Sequence, residues 1–173
     1  MNRDYKHLVN REKFISSDWE KIQCSALLNY NKKLHLEMLN QKEIVLNDEL
    51  KSKLQFYSII LMDQLNWEIK SQYLELLTQF TEKKIDILKF IVAFRERYEC
   101  IQKIKNVLEF NRIILSLNKN SLEFGNLMLR IYNCCDAYSG DREPFRDDYE
   151  IGEIEFTNFM KEIYFQLKEF IQE

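Results

Sequence analysis

Three glycines and one proline in 173 residues set the terms for what this chain can fold into. An average domain carries roughly 7% Gly and 5% Pro. Turns draw on both, because glycine supplies positive φ and proline pre-sets a bend. A strand-rich fold reverses direction every few residues and would exhaust so small a supply. The scarcity predicts long helices joined by short polar links. Apolar residues are 46% of the chain and aromatic residues 13%, ample for a core. The length suits one domain with a small appendage.

Apolar spacing supports the helical reading. Ser17 and Glu20 fit a capping box, with Trp19, Ile22, Ala26, Leu27 and Tyr30 following at helical intervals. Residues 33–46 are ambiguous. Leu34, Leu36 and Met38 alternate like a strand, and Ile44, Val45 and Leu46 could pair with it, so a small hairpin competes with helix there. Asn47 or Asp48 starts a strong helix striped by Leu50, Leu54, Tyr57, Leu61 and Leu65. A second stripe, Trp67, Tyr73, Leu76, Leu77 and Phe80, follows with a break near Asn66 or none. Asp86 is placed to cap a helix carrying Ile87, Phe90, Ile91, Phe94, Tyr98, Ile101 and Ile104. Ser121 is the expected cap of the next helix. Gly125 inside it costs about 1 kcal/mol relative to Ala and points to close packing. The last helix carries Ile154, Phe159, Met160, Ile163, Tyr164, Leu167, Phe170 and Ile171. Helices are thus expected near 48–81, 86–105, 121–136 and 153–172, with the apolar residues 106–117 either extending the second or forming a short helix of their own. The fold class is all-α.

Several function classes lose support on composition. No apolar run approaches the 18 or so residues of a membrane helix. The first residues carry acids and no apolar core, unlike a secretory leader. Cys24, Cys100, Cys134 and Cys135 show no CxxC spacing, and His7 and His35 are the only histidines, so a zinc site is poorly supported. Free thiols in a reducing compartment, the cytoplasm or an organelle interior, are expected. Phosphate-cradling glycine loops are absent from the sequence, and no cofactor is expected. A Cys–His nucleophile would need Cys24 beside His7 or His35, which helical spacing does not force. The expectation is a protein that is not an enzyme. The net charge of −3 argues against a nucleic-acid partner.

The charge is not evenly spread. Between Cys134 and Glu155 stand Asp136, Asp141, Glu143, Asp147, Asp148, Glu150, Glu153 and Glu155 against only Arg142 and Arg146, a local net charge of −6. Everything outside sums to +3. This block also holds Pro144, Gly140 and Gly152, so it is the best-signalled loop in the chain. A single-sign patch steers cationic partners. Many charged loops are simply solvated. A calcium loop is a poor fit, because counting from Asp141 puts Arg146 where an EF-hand needs glycine.

The segment RIYNCCDAYSGDREPFRDDYEIGEIEF resembles the signature of the bacterial self-protective colicin-like immunity proteins of the colicin D type. The elements are Asp136-Ala137-Tyr138, then Asp141-Arg142, then Glu150 and Glu153. LELLTQFTEKKIDILKFIVAFRERYE, with Phe80, Ile85 and Phe90, resembles the family's opening helix pair. The resemblance spans residues 67–173. It implies an antiparallel four-helix bundle and a protein that blocks a tRNA-cleaving nuclease by setting acids against a basic active site. The implied partner-binding residues are Asp136, Tyr138, Asp141, Arg142, Glu143, Asp147, Asp148, Glu150 and Glu153, with no metal and no cofactor. Residues 1–66 lie outside the resemblance and are expected to form a helical extension packed on the bundle. The alternative is an assembly or structural subunit of a larger complex.

Overall fold

A computed structural model describes residues 30–40, 47–140 and 150–172. Among these residues are six helices: α1 (Lys32–Asn40), α2 (Asp48–Glu68), α3 (Lys70–Thr81), α4 (Ile87–Phe110), α5 (Ser121–Ala137) and α6 (Glu153–Gln172). Extended pairing among them is confined to one isolated bridge, Tyr138 with Ile151. The protein is all-α. It divides into two compact units that interleave along the chain. The first takes Met1–Glu68 and Cys100–Gly125, the second Ile69–Glu99 and Asn126–Glu173. Helices α4 and α5 therefore contribute residues to both.

Local chemistry explains where the helices start. Asn31, Asn47 and Asp86 each cap through a side-chain oxygen that accepts the N–H three residues on, at 3.0, 2.9 and 2.8 Å. Ser121 does not cap α5 as expected. It is the first helical residue, and its hydroxyl donates back to the Asn118 carbonyl at 2.6 Å. The Asn120 carbonyl instead accepts the first helical bond, from Phe124. Residues 32–40 form helix and not the first arm of a hairpin. His35 and Met38, three apart, are the buried pair that sets the period. The possible partner arm falls mostly on residues 41–46, outside the described residues.

The helix ends show how a glycine-poor chain stops a helix. After α3, the Lys84 N–H bonds the Gln79 carbonyl at 2.8 Å and the Lys83 N–H bonds Phe80, with Lys83 at φ 59°. After α4, the Ile113 N–H bonds Leu108 at 2.8 Å and the Arg112 N–H bonds Glu109, with Arg112 at φ 60°. Both are Schellman ends, with a long cationic side chain where glycine is usual. Helix α4 runs to Phe110, so residues 106–110 extend it and do not form a separate short helix. The break between α2 and α3 falls at Ile69, which adopts φ −105° and ψ 19°.

In the first unit, Met38, Tyr57, Ile60 and Leu122 form a buried cluster with Tyr30, Leu34, Leu50, Leu54 and Leu117 packed against it. The C-terminal half of α2 is buried on nearly every side, including Asp63, Gln64 and Asn66. Gln64 is satisfied at both ends. Its carbonyl oxygen accepts the Asn118 N–H at 2.6 Å, and its amide donates to Glu68 at 2.6 Å. That fastens the link before α5 onto α2. Gly125 lies so close that a Cβ there would fall inside the Asp63 carboxylate.

In the second unit, α3 and α6 pack along one another. An aromatic column joins four helices: Tyr73 meets Phe94 at 5.5 Å, Phe80 meets Phe90 at 5.0 Å, and Tyr98 meets Tyr132 at 5.0 Å. Phe156 of α6 reaches both Phe80 and Phe90, edge to face. The buried seam of α6 is Phe156, Met160, Ile163 and Leu167. Ile154, expected inside, is 77% exposed, as Ile104 of α4 is 41% exposed.

Gly125→Ala should destabilise the protein by about 1–3 kcal/mol, read as a lower urea midpoint with an unchanged slope, because the close approach to Asp63 must open. Lys83→Gly and Arg112→Gly should each add about 0.5–1 kcal/mol by removing the left-handed strain, less the extra freedom glycine gives the unfolded chain. Thermal melts of the two single variants check this. A fall in melting temperature for both would contradict the Schellman assignment.

Candidate functional site

The acidic segment leaves α5 and returns to α6 through a pinned neck. The Ile151 N–H donates to the Ala137 carbonyl at 3.0 Å, and the Ser139 N–H donates to the Ile151 carbonyl at 3.3 Å. The Tyr138 ring stands edge-on to Phe156 at 5.2 Å. Two backbone hydrogen bonds and one ring contact thus hold the ends of the loop together over the aromatic column. Gly140 takes φ +75°, a conformation glycine adopts without strain. On the return side, the Glu155 carboxylate accepts the Gly152 N–H at 2.8 Å, and the Gly152 carbonyl accepts the Phe156 N–H at 2.9 Å. This is the reciprocal half of a capping box, and it fixes the angle at which α6 begins.

Among the expected site residues, Asp136, Tyr138, Glu150 and Glu153 are described. Asp141, Arg142, Glu143, Asp147 and Asp148 lie outside the described residues. The neck brings Tyr138 and Glu150 to the same place, since Ile151 is Tyr138's bridge partner. Asp136 is exposed but already engaged. Its carboxylate pairs with Arg95 of α4 at 3.0 Å. Arg95 also donates to the Cys135 carbonyl at 3.1 Å, so one guanidinium serves both an acid and the C-terminal end of α5. Both partners are about half exposed, so the pair contributes about 1 kcal/mol or less. Glu153 is exposed in the first turn of α6. It borders an open hollow with Lys83, Lys84, Lys89 and Lys161. The acids flanking the loop therefore have cations of the same unit near them.

Two of the cysteines are packed inside the second unit. Cys134 and Cys135 are buried, Cys100 is exposed, and all three are free thiols. Burial drives the Cys135 thiol far up from its ordinary range, with Cys134 and Asp136 adding to the rise and Arg95 opposing it. A thiol so held is a poor nucleophile. Cys24 lies outside the described residues.

A second constellation, in the first unit, was not anticipated from the sequence. His35 of α1 is fully buried. The Tyr30 hydroxyl lies 3.2 Å from its Nδ1, and Glu109 Oε1 of α4 lies 3.9 Å from its Nε2. Glu109 is held in turn by Lys105 at 3.1 Å and by the Ser58 hydroxyl. The Tyr30 and His35 rings both pack on Tyr57. Burial raises the Tyr30 phenol to about 12, with Tyr57 adding to the effect. Burial lowers the His35 pKa below its usual value, Glu109 pulls it back up, and Lys105 presses it down. A general acid or base must reach its substrate. This imidazole is closed off, so it is a proton site inside a core. The signal available in the sequence was the i,i+4 pair Lys105–Glu109, which requires the helix to run on past 105.

Comparison of the chain with protein-family models, with curated proteins and with solved structures returned no match.

The His35 environment generates a pH dependence. The folded state releases the imidazole proton more readily than the unfolded chain, whose histidine titrates at about 6.5. As pH falls through that value, the unfolded chain takes up the proton first, and stability drops. Urea midpoints at about pH 7.5 and about pH 5.5 should differ more for the wild type than for His35→Gln. Equal pH dependence in both would show that His35 is not the group concerned.

Proposed function

We propose that this chain is a non-enzymatic binding protein that blocks a basic, tRNA-cleaving nuclease toxin through the acidic segment at 136–155. In this reading residues 67–173 form the antiparallel four-helix bundle that the resemblance to colicin D-type immunity proteins implies. The observation that carries it is the pinned neck. Hydrogen bonds between Ile151, Ala137 and Ser139, with Tyr138 on Phe156, anchor the two ends of a strongly acidic loop to a rigid core. An inhibitor that imitates phosphates needs acids presented from fixed ends, because ordering a free segment on binding subtracts from affinity. The aromatic column running through α3, α4, α5 and α6 supplies that rigidity. Asp136, Asp141, Asp147 and Asp148 are the acids assigned to the partner's cations. Asp136 must exchange Arg95 for the partner and so contributes less than the other three.

The second reading is an assembly subunit of a larger complex. Leu88 and Val92, four apart on α4, are 66% and 55% exposed and provide apolar surface for such a role. Affinity capture of the intact protein from its own cells separates the two. A basic nuclease that stops cleaving tRNA when the protein is added supports inhibition. A stable multi-subunit complex without nuclease supports assembly.

Charge reversal tests the acidic loop directly. Asp141→Lys, Asp147→Lys and Asp148→Lys combined should slow association with the captured nuclease by about tenfold or more, while added salt weakens wild-type binding. Melting temperature should stay close to wild type, since exposed loop charges add little stability. An unchanged association rate in a folded triple variant would remove the loop from the interface.

A further inference from the structure

Within the second unit, the link from α3 to α4 and the first turns of α6 enclose an open hollow of about 800 Å³. Sites for small molecules typically measure roughly 300–1,000 Å³. Two chemistries line it side by side. Phe80 and Ile87 are buried at its apolar side, Ile85 is half-buried there, and Ile154 stands 77% exposed. With them are Lys83, Lys84, Lys89 and Lys161 against Asp86 and Glu153, a local net charge of +2 in a chain of −3.

The four lysines are not equivalent. Lys84 pairs with Glu82 at 2.6 Å and Lys89 with Asp86 at 3.5 Å. Lys83 and Lys161, from the link and from α6, pair with no described carboxylate. Lys83 also stands there in a strained backbone. It takes the left-handed φ of 59° at the end of α3, where glycine is the unstrained choice. Strain of this kind, observed at the edge of a hollow, is grounds for a functional hypothesis. Two helices begin at the same place, α4 at Ile87 and α6 at Glu153. Their positive ends add to the field, partly offset by Asp86 and Glu153.

We propose that this hollow binds a small phosphate monoester carried on an apolar body. The phosphate sits between Lys83 and Lys161, and the aryl or alkyl part lies against Ile85 and Ile154. A phosphate monoester carries about −1.5 to −2 charges at neutral pH and three acceptor oxygens. Each unpaired ammonium group offers three donors and no acceptor, so the two together match that charge and those oxygens. The Thr157 hydroxyl and the Asn158 amide line the same space and supply neutral donors. Lysine meets phosphate as a point charge, without fixed geometry, so choice among phosphates falls to the apolar lining. The ligand is opposite in charge to the partner proposed for the acidic segment, and the site stands without that reading.

Phenyl phosphate is the probe, titrated into the full-length protein with isoleucine methyl groups observed by NMR. The Ile85 and Ile154 signals should shift saturably, at several-fold lower concentration than with inorganic phosphate. Phenol should leave them in place. Lys83→Gly and Lys161→Gln should each weaken phenyl phosphate binding by about fivefold, and added salt should weaken it in the wild type. Lys83→Gly relieves the strain at the end of α3, so a loss of binding there with an undiminished melting temperature is not unfolding. Lys161→Gln changes an exposed position of α6 and leaves the end of α3 alone. Arg112→Gly, the matching backbone change in the first unit, should leave binding as it is. Absence of a saturable shift at low-millimolar phenyl phosphate overturns the proposal. So does binding that survives both lysine substitutions, and so do equal shifts with phenol. Inorganic phosphate bound as tightly as phenyl phosphate would also overturn it, in favour of an adventitious ion only.

Discussion

The ring of Phe156 is where the core of the second unit and the acidic loop meet. It is fully buried, and it touches Phe80 of α3, Phe90 of α4 and Tyr138 at the loop's neck. Edge-to-face contacts of this kind each add about 0.5–1.5 kcal/mol beyond area burial and also fix orientation. The start of α6 depends on the same residue, because the Phe156 N–H closes the first turn on Gly152. One side chain thus sets where α6 begins, where α3 and α4 lie against it and where the loop returns. Removing the ring would loosen the neck before it unfolded the helices, because the neck has only two backbone hydrogen bonds beside it.

The first unit is organised by a different problem, the burial of polar groups. Asp63, Gln64, Asn66 and His35 lie inside it. Such groups are tolerated only when bonded. Gln64 is bonded at both ends and joins α2 to the link before α5. His35 is bonded on one nitrogen and faces Glu109 on the other beyond hydrogen-bond distance. The cluster is therefore sensitive to protonation while the aromatic core of the second unit is not. Polar burial adds directional requirements that an oil-like core lacks. The Gly125–Asp63 contact is one of them, since only a residue without Cβ lets α5 approach that carboxylate.

Much of this architecture was legible in the sequence, and the reasons are specific. Asn47 and Asp86 are strong cap residues standing before clean 3.6-residue stripes, and the structure uses both. Gly125 stood alone inside a helical pattern, and its close neighbour exists. The failures are also specific. Ser121 has the chemistry of a cap, but its hydroxyl is drawn to Asn118, and Asn120 precedes it. Ile154 and Phe156 are two apart, and periodicity alone chose the wrong one. The left-handed ends at Lys83 and Arg112 carry no glycine to announce them, so the end of α4 stayed open between 105 and 117. Helix at 32–40 was obscured because Leu34, Leu36 and Met38 also fit a period of two, and the tie is broken by His35, a residue no hydrophobic count includes. The candidate site was legible as charge and not as geometry: net charge located the loop, while the bridge at its neck joins residues thirteen apart.

The same separation of charge from geometry bears on how an acidic loop could act. Acids on a mobile tether attract cations but choose poorly among them, because each contact must first be ordered. Acids between fixed ends keep their spacing, so a partner must match them. The Arg95–Asp136 pair sharpens this. It ties Asp136 to α4 at the base of the loop and sets a cation against the C-terminal end of α5. On the return side Glu153 borders a hollow with Lys83, Lys84, Lys89 and Lys161, of which Lys84 pairs with Glu82 and Lys89 with Asp86. Cations of the same unit thus stand near both feet of the loop, so Asp136 and Glu153 are less available to an outside cation than their exposure alone suggests.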